Sequence, residues 1–133
     1  MTQENKNLTT NYSSAKFSWL KSGGNISHLY KVHNQIELNN LFIQNVIKTK
    51  SFLVIGNLSN TLIKDEGFKG IGIKLLGDFT NVQVNSDHML VGAAVLDNYL
   101  SKFCYQKSIT GYEFLFTIPG SIGGNIFMNA GCY

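Results

Sequence analysis

Three features of the sequence predict an α+β fold. Short apolar stretches closed by glycine or polar turns read as strands, and Phe52-Leu53-Val54-Ile55, ending at Gly56, is the clearest of them. Two longer segments, Gln35 to Lys48 and Leu96 to Lys107, set their apolar residues three and four apart, the spacing of a helix with one buried face. The two kinds of element do not alternate regularly, which argues against strict βαβ repetition. Hydrophobic residues at 44% and aromatics at 12% make the composition globular. A length of 133 residues suits one domain that removes roughly two-thirds of its unfolded surface from water.

In chain order, residues 1–15 are rich in Asn, Thr, Ser and Gln and are expected to form a flexible polar tail. Lys16 to Leu20 reads as a short strand, followed by a turn at Ser22-Gly23-Gly24, and His28 to His33 as a partly alternating strand. Asn34 is placed to cap the helix beginning at Gln35. The apolar face of that helix is Leu38, Leu41, Phe42 and Val46, with Ile43 and Ile47 beside them. After the strand at 52–55 come a polar loop, Thr61-Leu62-Ile63, a turn at Asp65-Glu66-Gly67 and a strand from Ile71 to Leu75. Near Gly77 the chain is expected to divide into a first unit, 16–77, and a second, incomplete one, 78–133. The second contains strands at Val82–Val84 and Met89–Val91, then the helix from Leu96 to Lys107. Leu96, Leu100, Phe103 and Cys104 share one face of that helix, and Asp97 stands near its N-terminal end, where the helix dipole favours a negative charge.

The net charge of +3 rests on lysine alone, because the chain has no arginine. Nucleic-acid readers and diphosphate clamps rely on arginine's bidentate fork, and the lysines here are scattered, so a nucleic-acid partner is not expected. A bound diphosphate would have to be held by backbone N–H, hydroxyl and amide groups. No signal peptide or membrane-spanning run is visible, and Cys104 and Cys132 read as two reduced thiols, so a cytoplasmic protein is expected. His28, His33 and His88 lack metal-ligand spacing, and no nucleophile–base pair stands out. Trp19 reads as a packing residue.

Two loops carry the chemistry. The first, Gly56-Asn57-Leu58-Ser59-Asn60-Thr61, follows the buried strand with small, hydroxyl and amide residues that can nest a phosphate. The second, Thr117-Ile118-Pro119-Gly120-Ser121-Ile122-Gly123-Gly124, holds the single proline and leads into a possible helix N-terminus, whose orphan N–H donors suit a phosphate. Both are also what plain turns look like, and neither matches the Walker or dinucleotide fingerprints.

Taken together, the loops resemble the N-terminal, flavin-binding part of the bacterial UDP-N-acetylenolpyruvoylglucosamine reductase family, in the flavoprotein superfamily shared with vanillyl-alcohol oxidase. Ile118-Pro119-Gly120-Ser121-Ile122-Gly123-Gly124, followed by Met128-Asn129-Ala130-Gly131-Cys132-Tyr133, is similar to the family's I-P-G-[ST]-x-G-G…M-N-A-G-x-Y run. Ser59-Asn60-Thr61-Leu62 with Asp65 to Gly70 resembles its G-S-N-x-L…D-x-G-x-x-G loop. Ser18, Lys21 and Gly23-Gly24 resemble its early T-x-x-[RK]-x-G-G, and Val91-Gly92-Ala93 a strand end that the family shares.

The resemblance implies an FAD-binding fold of the PCMH type over 16–133, built from two α/β subdomains, with the substrate-binding C-terminal domain absent. It implies non-covalent FAD, its pyrophosphate on Gly56, Asn57, Leu58, Ser59, Asn60 and Thr61 and on Ile118, Pro119, Gly120, Ser121, Gly123 and Gly124. Asn129, Ala130 and Gly131 would approach the flavin ring. NADPH would be the hydride donor, a UDP-sugar the substrate and peptidoglycan synthesis the setting. The family's serine, arginine and glutamate around the substrate come from later segments, so no catalytic residue is assigned and the chain reads as an N-terminal fragment. A separately encoded C-terminal half would complete it. The alternatives are a non-catalytic remnant of a broken gene or an unrelated nucleotide-binding module. Leu58 departs from the family's usual glycine, so Leu58→Gly is expected to strengthen FAD binding by baring backbone near the pyrophosphate. An open sheet edge in the second unit is expected to make the isolated chain self-associate.

Overall fold

The structure is a computed structural model that describes residues 7–43 and 51–131. Its first unit is a four-stranded sheet in the order β1-β2-β4-β3, formed by β1 (Leu8–Ser13), β2 (Asn25–Val32), β3 (Phe52–Ile55) and β4 (Phe68–Leu75). β4 pairs in parallel with both β2 and β3, and β1 closes one edge antiparallel to β2. The segment expected to be a loose tail is therefore a strand from Leu8 onward. Its polar residues are compatible with that role, because an edge strand needs only main-chain bonds and keeps one side toward water. The strand expected at Lys16 to Leu20 is instead a 3₁₀ turn over Ser14–Lys16, where Ser14 O accepts from the N–H groups of Phe17 and Ser18 at 3.1 and 2.9 Å.

Asn34 caps α1 (Gln35–Ile43), its Oδ1 accepting from the Glu37 N–H at 2.9 Å. Glu37 reaches back to accept from the N–H of His33, the residue before the cap, at 2.7 Å, which ties the end of β2 to the start of the helix. The part of this helix expected beyond Ile43, with Val46 and Ile47, lies outside the described residues.

The sheet carries a core on each face at β2 and β4. On one, Val32, Ile71 and Ile73 pack with Leu41 of α1. On the other, Ile26, Leu29 and Ile55 pack with Leu58 and Ile63 from the loop after β3. Phe52 and Val54 of β3 are exposed, so the apolar run expected to be a buried strand is an edge strand buried only in part. Ile26 and Leu29 are an odd number apart yet share a face because the register with β4 shifts between Ile26 and His28. That irregularity explains why the sequence alternates only partly here.

The second unit holds β5 (Val82–Val84) and β6 (Met89–Val91), an antiparallel pair, then α2 (Asp97–Gln106), a 3₁₀ turn at Glu113–Thr117 and α3 (Ile122–Met128). Val95, Leu100, Cys104 and Leu115 form its core, with Ile118 and Ile122 against them. Those last two contacts hold the glycine-rich turn of the second loop onto α2. The fold is a mixed α+β one, as the sequence predicts.

Candidate functional site

The two glycine-bearing loops, some sixty residues apart in sequence, meet in space. A Cβ built on Gly56 would stand 3.1 Å from Ser121 Oγ, and one on Gly120 would stand 3.7 Å from Ser59 Oγ. Across this seam the bare Cα of each glycine faces a serine hydroxyl of the other loop, so backbone and small polar groups border it on both sides.

The first loop is oriented from beneath. Lys74, half-buried on β4, donates from Nζ to the Gly56 carbonyl, and its ammonium lies 5.4 Å from the centre of the Phe17 ring. Burial lowers the Lys74 pKa, yet the charge is directed at an acceptor. In a trans peptide the C=O and the following N–H point opposite ways, so drawing Gly56 O toward Lys74 turns the Asn57 N–H away from it. The Asn57 carbonyl is taken up as well, accepting from the Trp19 N–H at 3.2 Å. Among the described residues, the N–H groups of Asn57, Leu58, Ser59 and Asn60 donate to no backbone carbonyl.

Leu58 lies in the left-handed region at φ 49°, which fits a position where the family usually carries glycine. Its side chain points into the core with Ile26, Leu29, Ile55 and Ile63 and is buried. The expectation that Leu58 crowds a pyrophosphate is therefore corrected: its bulk goes inward and leaves the outer face of the loop bare.

The second loop is anchored on the segment before α2. Ile122 N–H donates to Val95 O at 3.0 Å, Gly123 N–H to Ala93 O at 2.9 Å and Asp97 N–H to Gly120 O at 3.4 Å. Gly123 cannot be larger, since its Cβ would meet the Ala93 carbonyl at 2.9 Å. The N–H groups of Gly120, Ser121 and Gly124 donate to no backbone carbonyl among the described residues. Ser121 is buried; Asn60 and Thr61 are exposed. Ile118 packs inward and Pro119 is exposed. Asn129, Ala130 and Gly131 follow the C-terminal end of α3 and are exposed, with the Ala130 N–H donating to Asn125 O at 2.9 Å.

Three residues of this site were not picked out from the sequence. Asp97 is 0% exposed, and neither carboxylate oxygen has a hydrogen-bond partner among the described residues. A Cβ on Gly120 would meet its Oδ2 at 2.8 Å and Asn125 Oδ1 at 3.0 Å. Burial pushes the Asp97 carboxyl above the usual carboxylate range, and the Asn125 side chain opposes this less strongly. The sequence placed Asp97 at a helix N-terminus, but its burial under Gly120 depends on the packing of the second loop. Lys74 and Trp19 had no sequence signal, because each acts on the first loop from a distant element.

Cys104 is a free, buried thiol whose pKa is raised by burial and then by Glu113, which makes it unreactive; Cys132 lies outside the described residues. Among the described residues no three His, Cys, Asp or Glu side chains are grouped to hold a metal ion, and no helix is long and apolar enough to cross a membrane.

The family model described as "FAD binding domain" matches residues 29–133, and the chain belongs to that family. In sequence it is similar to the UDP-N-acetylenolpyruvoylglucosamine reductase of Rickettsia felis, 41% identical over 122 residues, and to that of Rickettsia typhi, 39% identical over 122 residues. Each match covers 92% of this chain and 41% of the relative's length. In structure it is similar to the UDP-N-acetylenolpyruvylglucosamine reductase (MurB) of Thermus caldophilus, with a TM-score of 0.75 and 29% identity, over 94% of this chain and 42% of that one. The chain thus corresponds to the FAD-binding part of these reductases and spans about two-fifths of their length.

Proposed function

We propose that the chain binds FAD non-covalently across the two loops and serves as the flavin-binding part of a UDP-N-acetylenolpyruvoylglucosamine reductase, an oxidoreductase of peptidoglycan synthesis in the cytoplasm. The observation that carries this reading is the seam between Gly56–Thr61 and Ile118–Gly124, where two turns present N–H groups without backbone acceptors. In this reading the N–H groups of Asn57 to Asn60 take one phosphate, and those of Gly120, Ser121 and Gly124 take the other. The hydroxyls of Ser59, Thr61 and Ser121 add neutral donors, which suits a chain without arginine. Asn129 to Gly131 border the flavin ring.

Held by these two loops, FAD would supply hydride chemistry for the NADPH-dependent reduction of the enol ether of UDP-N-acetylglucosamine enolpyruvate to UDP-N-acetylmuramate, with the accompanying proton delivered by the remaining segments. The chain's own residues bind and orient the cofactor. The reductase reaction requires the segments that the resemblance places after Tyr133, in the same chain or a separate one. Titration of FAD into the chain, followed by flavin fluorescence and equilibrium dialysis, is expected to show saturable one-to-one binding. No saturation at any accessible FAD concentration would overturn the reading. Adding the remaining segment with NADPH and the UDP-sugar, and following NADPH absorbance, then tests the reductase activity.

A further inference from the structure

Trp19, read from the sequence as a packing residue, is 62% exposed. It is displayed by a turn that is tied at several points. Ser18 is buried, and its Oγ donates to Ser22 O at 2.9 Å and accepts from the Ser22 N–H at 3.2 Å. Lys21 N–H donates to Ser18 O at 3.1 Å, and the Trp19 N–H is fixed on Asn57 O. The indole is thus rooted on the first loop while its ring faces outward. That ring lines a cleft with Asn57, Leu96, Phe116, Pro119 and Gly120.

Two of those residues, Asn57 and Gly120, belong to the seam of unpaired N–H groups, so the cleft continues from where the pyrophosphate is proposed to lie. It opens at the end of the second loop that precedes α3. The seven residues of α3 put Asn129 about 10 Å further along, at 1.5 Å per residue. A flavin dinucleotide carries a ring system on each side of its pyrophosphate. With the flavin toward Asn129–Gly131, the adenine falls to the Trp19 cleft. Leu96, Phe116 and Pro119 give that cleft apolar walls, and Asn98 and Thr117 give it a polar rim suited to the edge of a base.

We propose that Trp19 is the face on which the adenine ring of the bound dinucleotide stacks. The proposal rests on the FAD reading above. Stacking on an aromatic side chain needs only the π-face of the base, and its loss is measurable in affinity.

The test titrates FAD and FMN into the unmutated chain, Trp19→Ala and Trp19→Phe by calorimetry. Because Trp19 is the only tryptophan, its emission in the unmutated chain is also followed against acrylamide with ADP or FMN present. Trp19→Ala is expected to weaken FAD binding about tenfold or more, with Trp19→Phe recovering most of the loss. FMN, which lacks adenine, is expected to bind all three chains alike, and ADP to shield Trp19 from acrylamide where FMN does not. Equal weakening of FMN, or shielding by FMN alone, would put the flavin end in the cleft and overturn the proposal. Unchanged FAD affinity in Trp19→Ala would overturn it and leave the FAD reading standing, whereas no FAD binding by the unmutated chain would overturn both. Should Trp19→Ala fail to fold, the ADP shielding in the unmutated chain decides by itself.

Discussion

Leu58 answers two opposed demands. Its left-handed backbone costs about 1–2 kcal/mol for a residue with a Cβ, whereas emptying a buried leucine site costs about 2–5 kcal/mol. The second term is the larger. Leu58→Gly is therefore expected to destabilise by about 2 kcal/mol, a fall in Tm of about 5–10 °C by circular dichroism, without a gain in FAD affinity. Asp97 presents the reverse case, a fully buried carboxyl whose burial outweighs the opposing Asn125 side chain. In the unfolded chain an aspartate gives up its proton near about pH 4, and burial holds the folded group above that. Between the two values the folded state binds more protons than the unfolded one. Stability therefore falls as pH rises through that window and stays lower beyond it. Asp97→Asn removes the charge, so its Tm should match that of the unmutated chain at about pH 3.5 and exceed it by about 3–6 °C at about pH 7.

The element that matters most for the site is the loop between β3 and β4, and Lys74 governs it from below. Lys74→Met keeps the length of the side chain and loses the donor. Its removal frees the Gly56 carbonyl, so FAD affinity is expected to fall roughly tenfold, as for a lost charge-assisted bond. Tm should change little, since burial of the ammonium is itself unfavourable. Parallel dialysis and melting curves separate the two effects. Elements with a strong local signal were legible in the sequence. The strand Phe52–Ile55, the strands Val82–Val84 and Met89–Val91 and the apolar face of α2 at Leu100, Phe103 and Cys104 follow from residue pattern, as does the Asn34 cap. Leu96, expected on that face, is exposed. The strand Leu8–Ser13 was not legible, because an edge strand can be as polar as a tail. Both loops were visible from their glycines and hydroxyls. The roles of Trp19, Lys74 and Asp97 were not, since direction and burial arise only when distant elements pack.

Across the whole molecule, apolar surface is unevenly covered. Ile126, Phe127 and Met128 of α3 are exposed, Phe127 at 87%, and Val84 and Leu90 are exposed on the β5–β6 pair. Exposed apolar side chains of this size favour association. The isolated chain should therefore form concentration-dependent oligomers in sedimentation velocity, and Phe127→Glu should shift it toward monomer; a monodisperse unmutated chain would count against this. The seam between the loops behaves differently from that surface, because its donors are main-chain dipoles without net charge. Dissolved ions screen charge and have little purchase on dipoles held at contact distance. A cofactor gripped this way stays in place across a range of brine that would loosen one clamped by lysine or arginine.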